Sequence, residues 1–170
     1  TYGWLVGEVI RRITGKTPGV WFRDEIVTPL GLDAHIGLDA RHDGRTAEVI
    51  AAPPPPPDAP NPFADPESMS YKAIANPLNV IDMKVVNGRA WRAMELPSAN
   101  GHATARSLAR VYGALGRGGA IDGYRVLTND SIARCYTEQS NGMDEVLKRP
   151  TRIGLGFMLS QPEDPLGPNP

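Results

Sequence analysis

The hydrophobic positions between residues 104 and 119 predict an amphipathic helix that follows a tight turn. Apolar side chains recur there at i, i+3, i+4 and i+7 and form one face: Leu108, Val111, Tyr112 and Leu115. Thr104 suits the N-cap, because its hydroxyl can accept a hydrogen bond from an unpaired N–H of the first helical turn. The pair Asn100-Gly101 before it favours positive φ and predicts the turn. A turn of this kind at the start of a helix often lines a pocket.

The beginning of the chain predicts another amphipathic helix, over residues 4–14. Its arginines lie opposite an apolar side made of Leu5, Val6, Val9, Ile10 and Ile13. Gly15 ends it, since glycine readily takes the left-handed conformation of a helix C-terminus.

A second helix is predicted to follow, with Thr17 as N-cap and Pro18 at the first helical position. It runs to about Val27, with Phe22 and Ile26 facing inward. Pro29 and Gly31 are expected to end it. The next residues, 32–38, favour a short strand or an extended segment.

The second half of the chain carries a turn signal and a further helix start. Asp122-Gly123 is typical of a tight turn. Thr128 is predicted to cap a short helix that runs to Tyr136. Asp130 lies in its first turn, where a negative charge favours the positive end of the helix dipole.

The last part of the chain predicts a strand over residues 152–159, after a break at residues 148–150. Gly154 and Gly156 fall on one face of that strand. Glycine at such positions indicates that another backbone lies close to this face.

Residues 39–68 are the least regular part of the sequence. Prolines dominate residues 52–62, and a chain with so few N–H donors fits neither a helix nor a sheet. We expect an extended, polyproline-like and exposed conformation. A proline-rich insertion loop is the favoured interpretation, and a ligand for a proline-reading domain is the alternative.

Composition restricts the classes of function. The 170 residues fit one domain or part of one, and 41% of them are hydrophobic, as is ordinary for a globular protein. A net charge of −1 gives no electrostatic reason to expect nucleic acid or an anionic membrane as partner. Cys135 is the only cysteine, which excludes an intrachain disulfide and a cysteine metal cluster. It is expected to be a buried, inert thiol. The sequence predicts no metal site and no cofactor, and no apolar run reaches transmembrane length.

The two ends of the sequence suggest an internal segment of a longer protein. Thr1 runs directly into helix-forming sequence, and the other end finishes in a proline-rich stretch. The first residues carry no basic leader before a short apolar core, so they do not predict a signal peptide. A segment of this kind is expected to expose apolar surface and therefore to self-associate.

The residues alone contain no complete catalytic arrangement. Ser-x-x-Lys, Tyr-x-Asn, Gly-x-Ser-x-Gly and His-Glu-x-x-His are all absent from the sequence. His35 and His42 each begin a bare His-x-Gly, a pattern that arises easily by chance. His102, beside the glycine turn, is either a pocket residue or a surface or capping histidine.

Four segments, in their order along the chain, resemble the serine β-lactamase-like superfamily, in the branch of class C β-lactamases and family VIII carboxylesterases. Residues 2–16 resemble the helix after the catalytic tyrosine motif, and residues 22–32 the Glu-x-Ile-x-x-Pro-Leu-Gly segment. Residues 98–110 resemble the glycine turn and helix of the esterases, and residues 154–159 the Gly-Leu-Gly strand. Together they extend from one end of the chain to the other.

The resemblance implies an α+β, β-lactamase/transpeptidase-like fold. Residues 1–170 would then form a partial domain, mostly the helical region plus one or two strands of the antiparallel sheet, with 39–68 as the insertion loop. It also implies that the catalytic serine, lysine and tyrosine lie outside this chain, so no catalytic residue is assigned here. Only the turn maps near the substrate pocket, and Asn100, Gly101 and His102 are the predicted substrate-binding residues.

Three functions follow as hypotheses. The first is a segment of a cytoplasmic serine esterase. Such an enzyme cleaves small-molecule esters of short acyl groups through an acyl-enzyme. Asn100 stands where class C enzymes carry a tyrosine, which favours this esterase hypothesis over the second, a β-lactamase or D,D-peptidase. The third is a non-catalytic helical scaffold or binding protein whose proline run docks a partner.

Overall fold

A computed structural model describes residues 2–53, 56, 61, 64–74, 82–162 and 164–167. The chain divides into two compact units. The first unit comprises Thr1–Pro60 and Ile74–Gly113, and the second comprises Asn61–Ala73 and Ala114–Pro170. Helices with short antiparallel strand pairs make up the described residues, as the α+β prediction requires.

The first unit is mainly helical. Its elements are α1 (Tyr2–Thr14), α2 (Pro18–Phe22), a π-helical turn (Arg23–Val27), α3 (Thr28–Leu30), β1 (Ala34–Ile36), a 3-10 helix (Ala40–Arg45), α5 (Met83–Val86), α6 (Arg89–Ala93), β2 (Gly101–Ala103) and the start of α7 (Ala105–Gly116). A short helix, α4 (Met69–Ile74), lies between the 3-10 helix and α5 in sequence. None of the helices in the described part of the chain is both long and apolar enough to cross a bilayer.

Helix α1 forms as predicted, but its closest packing does not use its apolar side. Gly3 and Gly7 are its buried residues, and a Cβ on Gly7 would lie 3.1 Å from the ring of Pro18. Leu5, Val9 and Ile13 are exposed. The predicted amphipathic helix is therefore confirmed, but its closest packing is through the glycine edge, while Val6 and Ile10 of its apolar side are half-buried.

The second predicted helix starts as expected and ends later. Thr17 caps it by accepting a hydrogen bond from Val20 N, and Pro18 is its first residue. The helical path continues past Pro29 because a π-helical turn precedes the proline, and widened turns tolerate the ring and missing N–H of proline. It ends at Gly31, whose φ is +60°.

The burial of this helical path also differs from the prediction. Val27 and Leu30 supply its buried side chains, while Phe22 and Ile26 are only half-buried. The π-helical turn shifts the angular positions of the residues around the axis, so the 3.6-residue pattern selects the wrong inward face.

Strands β1 and β2 pair antiparallel and bring the central turn beside the first unit's helices. The register places Ala34, His35 and Ile36 opposite residues 103, 102 and 101. Thr104 N donates to the carbonyl of Asp33 at 3.1 Å. Thr104 Oγ1 accepts from Ser107 N at 3.2 Å, so the predicted N-cap of α7 is confirmed.

The predicted apolar face of α7 is only partly covered. Leu108 and Tyr112 are exposed, whereas Val111 and Leu115 are half-buried. The residues of α7 with the least exposure are instead Ser107 and Ala114.

The second unit confirms two local predictions. Asp122 and Gly123 have φ values of 50° and 80° and connect β3 (Ala120–Ile121) to β4 (Tyr124–Arg125). Thr128 caps α8 (Asn129–Tyr136) by accepting from Ser131 N at 3.1 Å.

Cys135 in α8 is buried, as predicted. Its thiol donates to the carbonyl of Ser131 at 3.2 Å, and no disulfide is formed. A thiol in this position fills space in the unit rather than facing solvent.

The predicted C-terminal strand has different bounds. Strands β5 (Ser140–Asp144) and β6 (Arg149–Ile153) pair antiparallel. The expected break at residues 148–150 is therefore confined to Lys148, whose φ is 54°, because Arg149 and Pro150 already belong to β6. The chain then turns back at Gly154, whose N–H donates to Phe157 O at 2.8 Å. A Cβ on Gly154 would collide with the carbonyl of Cys135, which confirms the close backbone approach predicted for it. A Cβ on Gly156 would meet no atom within 4 Å, so the same prediction is wrong for Gly156.

The region 39–68 contains one element that its composition did not predict. The 3-10 helix Ala40–Arg45 begins at Asp39, whose carboxylate accepts from Arg41 N at 2.9 Å. Most of the proline run lies outside the described residues, so the predicted polyproline conformation falls on residues that the structure does not describe.

Candidate functional site

The first unit contains a pocket of about 330 Å³ between the β1–β2 pair and the 3-10 helix. All three histidines of the sequence contribute to its lining. We call it the histidine pocket and define it by Asp33, His35, His42, Arg45, Gly101 and His102. Leu38 and residues 46–47 and 103–104 complete the lining.

Gly101 and His102, two of the three predicted substrate-binding residues, line this pocket. The antiparallel register sets His102 directly opposite His35, so both imidazoles lie on the same face of the pair. A Cβ on Gly101 would meet no atom within 4 Å, so this residue leaves open space. Asn100, the third predicted substrate-binding residue, does not line the pocket.

Asn100 is 2% exposed and does not line the pocket. Its Oδ1 accepts from Leu96 N at 2.9 Å, and its Nδ2 donates to the carbonyls of Trp91 and Met94. The side chain is therefore saturated by the backbone of the preceding loop. Asn100 thus holds the turn, and its neighbours Gly101 and His102 line the pocket, while substrate binding by the three residues stays a prediction.

Sequence reasoning missed the remaining members of the pocket. Asp33 and His35 are two residues apart, and alternation along an extended segment places them on one face. His35 Nε2 lies 3.2 Å from Asp33 Oδ1, and the rings of His35 and His42 have centroids 4.6 Å apart. The bare His-x-Gly patterns marked both histidines, but only the pairing of β1 with β2 gives them a common location with His102.

A bidentate ion pair joins the 3-10 helix to the start of β1. Arg45 donates to both carboxylate oxygens of Asp33, with Nη2 2.6 Å from Oδ1. Its Nε also lies 3.1 Å from His42 Nδ1, while Arg41 Nε lies 3.1 Å from the other ring nitrogen. These contacts fix the wall of the pocket opposite β2.

The charges of the pocket follow from these contacts. The Arg45 guanidinium, with His35 adding to it, holds the pKa of the Asp33 carboxyl well below its usual range. Burial lowers the pKa of His42, and the positive charge of Arg45 lowers it further. Burial also lowers the pKa of His102, although the backbone of Asn100 favours its charged form. At neutral pH the ion pair is formed and these two imidazoles are uncharged.

These shifts predict a loss of stability on mild acidification. Since the unfolded chain binds protons at His42 and His102 below about pH 6.5 while the folded chain resists them, the free energy of unfolding should fall as pH decreases from 7.5 to 5.5. Urea denaturation at several pH values measures this slope. His42→Asn should flatten it, and an unchanged slope in that variant would contradict the assignment.

No group of three or more His, Cys, Asp or Glu side chains is arranged to hold a metal ion in the part of the chain that the structure describes. The histidine pocket is instead a cavity with an internal ion pair and hydrogen-bonding rings. Its volume is at the small end of the range for ligand pockets, which typically measure about 300–1,000 Å³.

Comparison with known proteins identifies the family. The family model described as Beta-lactamase matches residues 1–168. The chain therefore belongs to the beta-lactamase family, and its fold is β-lactamase/transpeptidase-like.

Relatives with enzyme names are similar over nearly the whole chain. The esterase/beta-lactamase LipL of Mycobacterium tuberculosis is 33% identical over 92% of this chain and 38% of its own length. A penicillin-binding protein homologue from Caulobacter crescentus is 38% identical, with a TM-score of 0.81 over 99% of this chain and 43% of its own. A family VIII carboxylesterase is 37% identical, with a TM-score of 0.76 over 92% and 40%.

A further solved structure, EstA from Arthrobacter nitroguajacolicus Rue61a, is 32% identical, with a TM-score of 0.77 over 95% of this chain and 42% of its own. The chain thus spans about two fifths of the length of these relatives.

Proposed function

We propose that this chain forms the helical region and one wall of the substrate pocket of a cytoplasmic serine esterase. The serine of such an enzyme attacks the ester carbonyl, the alcohol leaves, and water hydrolyses the acyl-enzyme. Lysine and tyrosine manage the protons, and backbone N–H groups hold the oxyanion. In this proposal the serine, lysine and tyrosine lie outside the 170 residues.

The observation that carries the proposal is the histidine pocket at the family's glycine turn. Gly101 and His102 line it, and Asn100 holds the turn from behind. A volume of about 330 Å³ lies near the lower end of the range for ligand pockets, about 300–1,000 Å³. That size suits a short acyl group or a small alcohol rather than a long lipid chain.

A β-lactamase or D,D-peptidase is the second candidate. The similarity to a penicillin-binding protein homologue favours it. The similarity to a family VIII carboxylesterase and to an esterase/beta-lactamase favours ester hydrolysis. The two candidates share the acyl-enzyme mechanism and differ in the carbonyl that the serine attacks.

The test uses the full-length polypeptide in which this chain occurs. We expect hydrolysis of p-nitrophenyl acetate and butyrate that a serine-directed phosphonate abolishes, with slower turnover of a chromogenic cephalosporin. Faster cephalosporin turnover would favour the second candidate. The 170-residue chain alone should give no turnover above buffer, and phosphonate-sensitive turnover by it would overturn the proposal.

We also propose that the isolated chain self-associates with a second copy through the apolar side of α1. Leu5, Val9 and Ile13 form an exposed stripe along this helix. Sedimentation should show dimers or larger species that bind an apolar dye. The double variant Leu5→Lys and Ile13→Lys should be monomeric with an unchanged unfolding midpoint; association that persists in it would contradict this interface.

A further inference from the structure

The histidine pocket has one carboxylate in its lining, and that carboxylate is balanced by a single guanidinium. Asp33 accepts hydrogen bonds from Arg45 through both of its oxygens. It also lies 3.2 Å from His35 Nε2. Arg45 is half exposed, but its donors are directed at Asp33 and His42.

This arrangement determines how a charged group would be received. A carboxylate entering the pocket would compete with Asp33 for the same guanidinium while being repelled by the Asp33 charge. Specificity against a wrong ligand can be produced by such a repulsive element as well as by added attraction. An uncharged group meets no corresponding penalty.

The rest of the lining suits an uncharged group. The ring of His102, uncharged at neutral pH, has one hydrogen-bond donor and one acceptor. The rings of His35 and His42 also provide flat surfaces, tilted by 37° to each other. Gly101 leaves the space beside β2 open.

We propose that the histidine pocket receives the uncharged acyl group of the ester and rejects acyl groups that carry a carboxylate, with Asp33 as the specificity-determining residue. This inference rests on the proposed function, since it names the substrate class of the same site. It adds a charge rule that distinguishes neutral esters from acidic ones of equal size.

The experiment compares two esters of equal acyl length and identical leaving group in the full-length polypeptide. One is p-nitrophenyl butyrate, and the other is the p-nitrophenyl monoester of succinic acid, which ends in a carboxylate. At low salt we expect kcat/KM to favour the butyrate by about tenfold or more. The preference should shrink in high salt, because the repulsion is electrostatic.

Two variants move this preference in opposite directions. Asp33→Asn keeps the shape of the side chain, removes its charge and leaves Arg45 uncompensated, so the preference for butyrate should fall about tenfold. Arg45→Met leaves Asp33 uncompensated, so the preference should rise. A merely structural role of the pair would lower both activities together and leave their ratio unchanged.

The matched control is Asp24→Asn. Asp24 also forms ion pairs, with Lys16 and Arg23 at 3.1 Å, but it does not line the pocket. The ratio of the two activities should stay at the wild-type value in this variant. Circular dichroism confirms that each variant is folded before the ratios are compared.

The outcomes separate this inference from the proposed function. Hydrolysis of both esters with a ratio that Asp33→Asn and Arg45→Met leave unchanged, or shift in the same direction, would overturn the inference alone. Absence of any ester hydrolysis would overturn the proposed function. In that case the comparison uses equilibrium affinities for the corresponding p-nitroanilides of butyric and succinic acid. The butyric compound should bind more tightly, and this preference should fall in Asp33→Asn and rise in Arg45→Met.

Discussion

Replacing Asn100 by alanine is expected to lower the free energy of unfolding by about 3 to 5 kcal/mol. The side chain is 2% exposed and makes three hydrogen bonds to backbone groups. Alanine would leave the N–H of Leu96 and the carbonyls of Trp91 and Met94 without these partners. A buried polar group that loses its partner costs about 1–3 kcal/mol, so the three losses together dominate the effect.

Urea denaturation at pH 7 measures this loss. The control is Asn141→Ala, because Asn141 is exposed and its amide makes one long contact of 3.4 Å with Glu138. That variant should stay within about 0.5 kcal/mol of the wild type. A loss below about 1 kcal/mol for Asn100→Ala would mean that Asn100 does not hold the turn.

Gly19→Ala should cost about 3 kcal/mol, because the added methyl group has no space. The Cβ would lie 2.8 Å from Glu95 Cδ and would collide with the carbonyl oxygen of Ile36. The Gly19 N–H also donates to the Glu95 carboxylate at 2.8 Å. Since Ile36 belongs to β1, relief of the collision would displace the strand that carries His35.

Gly113→Ala is the matched control within a helix. Gly113 lies inside α7, and a Cβ there would meet no atom within 4 Å. Alanine favours helix over glycine, so this variant should gain about 0.5–1 kcal/mol. Opposite signs for the two Gly→Ala variants in the same denaturation series would support the packing described; a neutral Gly19→Ala would contradict it.

Local signals in the sequence sufficed for the helix starts. Thr17, Thr104 and Thr128 were each predicted as N-caps, and each accepts the expected backbone N–H. A cap depends on a hydroxyl and an amide three residues apart, and such a relation is visible in a sequence window. The turn at Asp122-Gly123 was predicted for the same reason.

The histidine pocket could be predicted only in part, because its geometry depends on pairing between distant segments. The turn pointed to Gly101 and His102, but it did not reveal that His35 faces His102. It also gave no sign that Arg45 would reach Asp33 from the 3-10 helix. A residue pair formed by a strand register is set by the whole fold rather than by its neighbours in sequence.

Asn100 shows a second limit of sequence reasoning. Its place in the glycine turn suggested a side chain that faces substrate, whereas the chain uses its amide to satisfy three backbone groups. Asparagine often bonds the backbone near turns, and its direction depends on where unpaired backbone groups lie. The sequence does not contain that information.

The most direct test of the account is the kcat/KM for p-nitrophenyl butyrate of the Gly101→Trp variant in the full-length polypeptide. Gly101 lines the histidine pocket, and a Cβ there would meet no atom within 4 Å, so an indole at this position has open space at the edge of the pocket. Gly116→Trp is the control, because Gly116 is exposed at the end of α7 with equally open surroundings. We predict a loss of about tenfold or more for Gly101→Trp with an unchanged unfolding midpoint, and little loss for Gly116→Trp. Wild-type kcat/KM in a folded Gly101→Trp variant would contradict the claim that this pocket receives the ester.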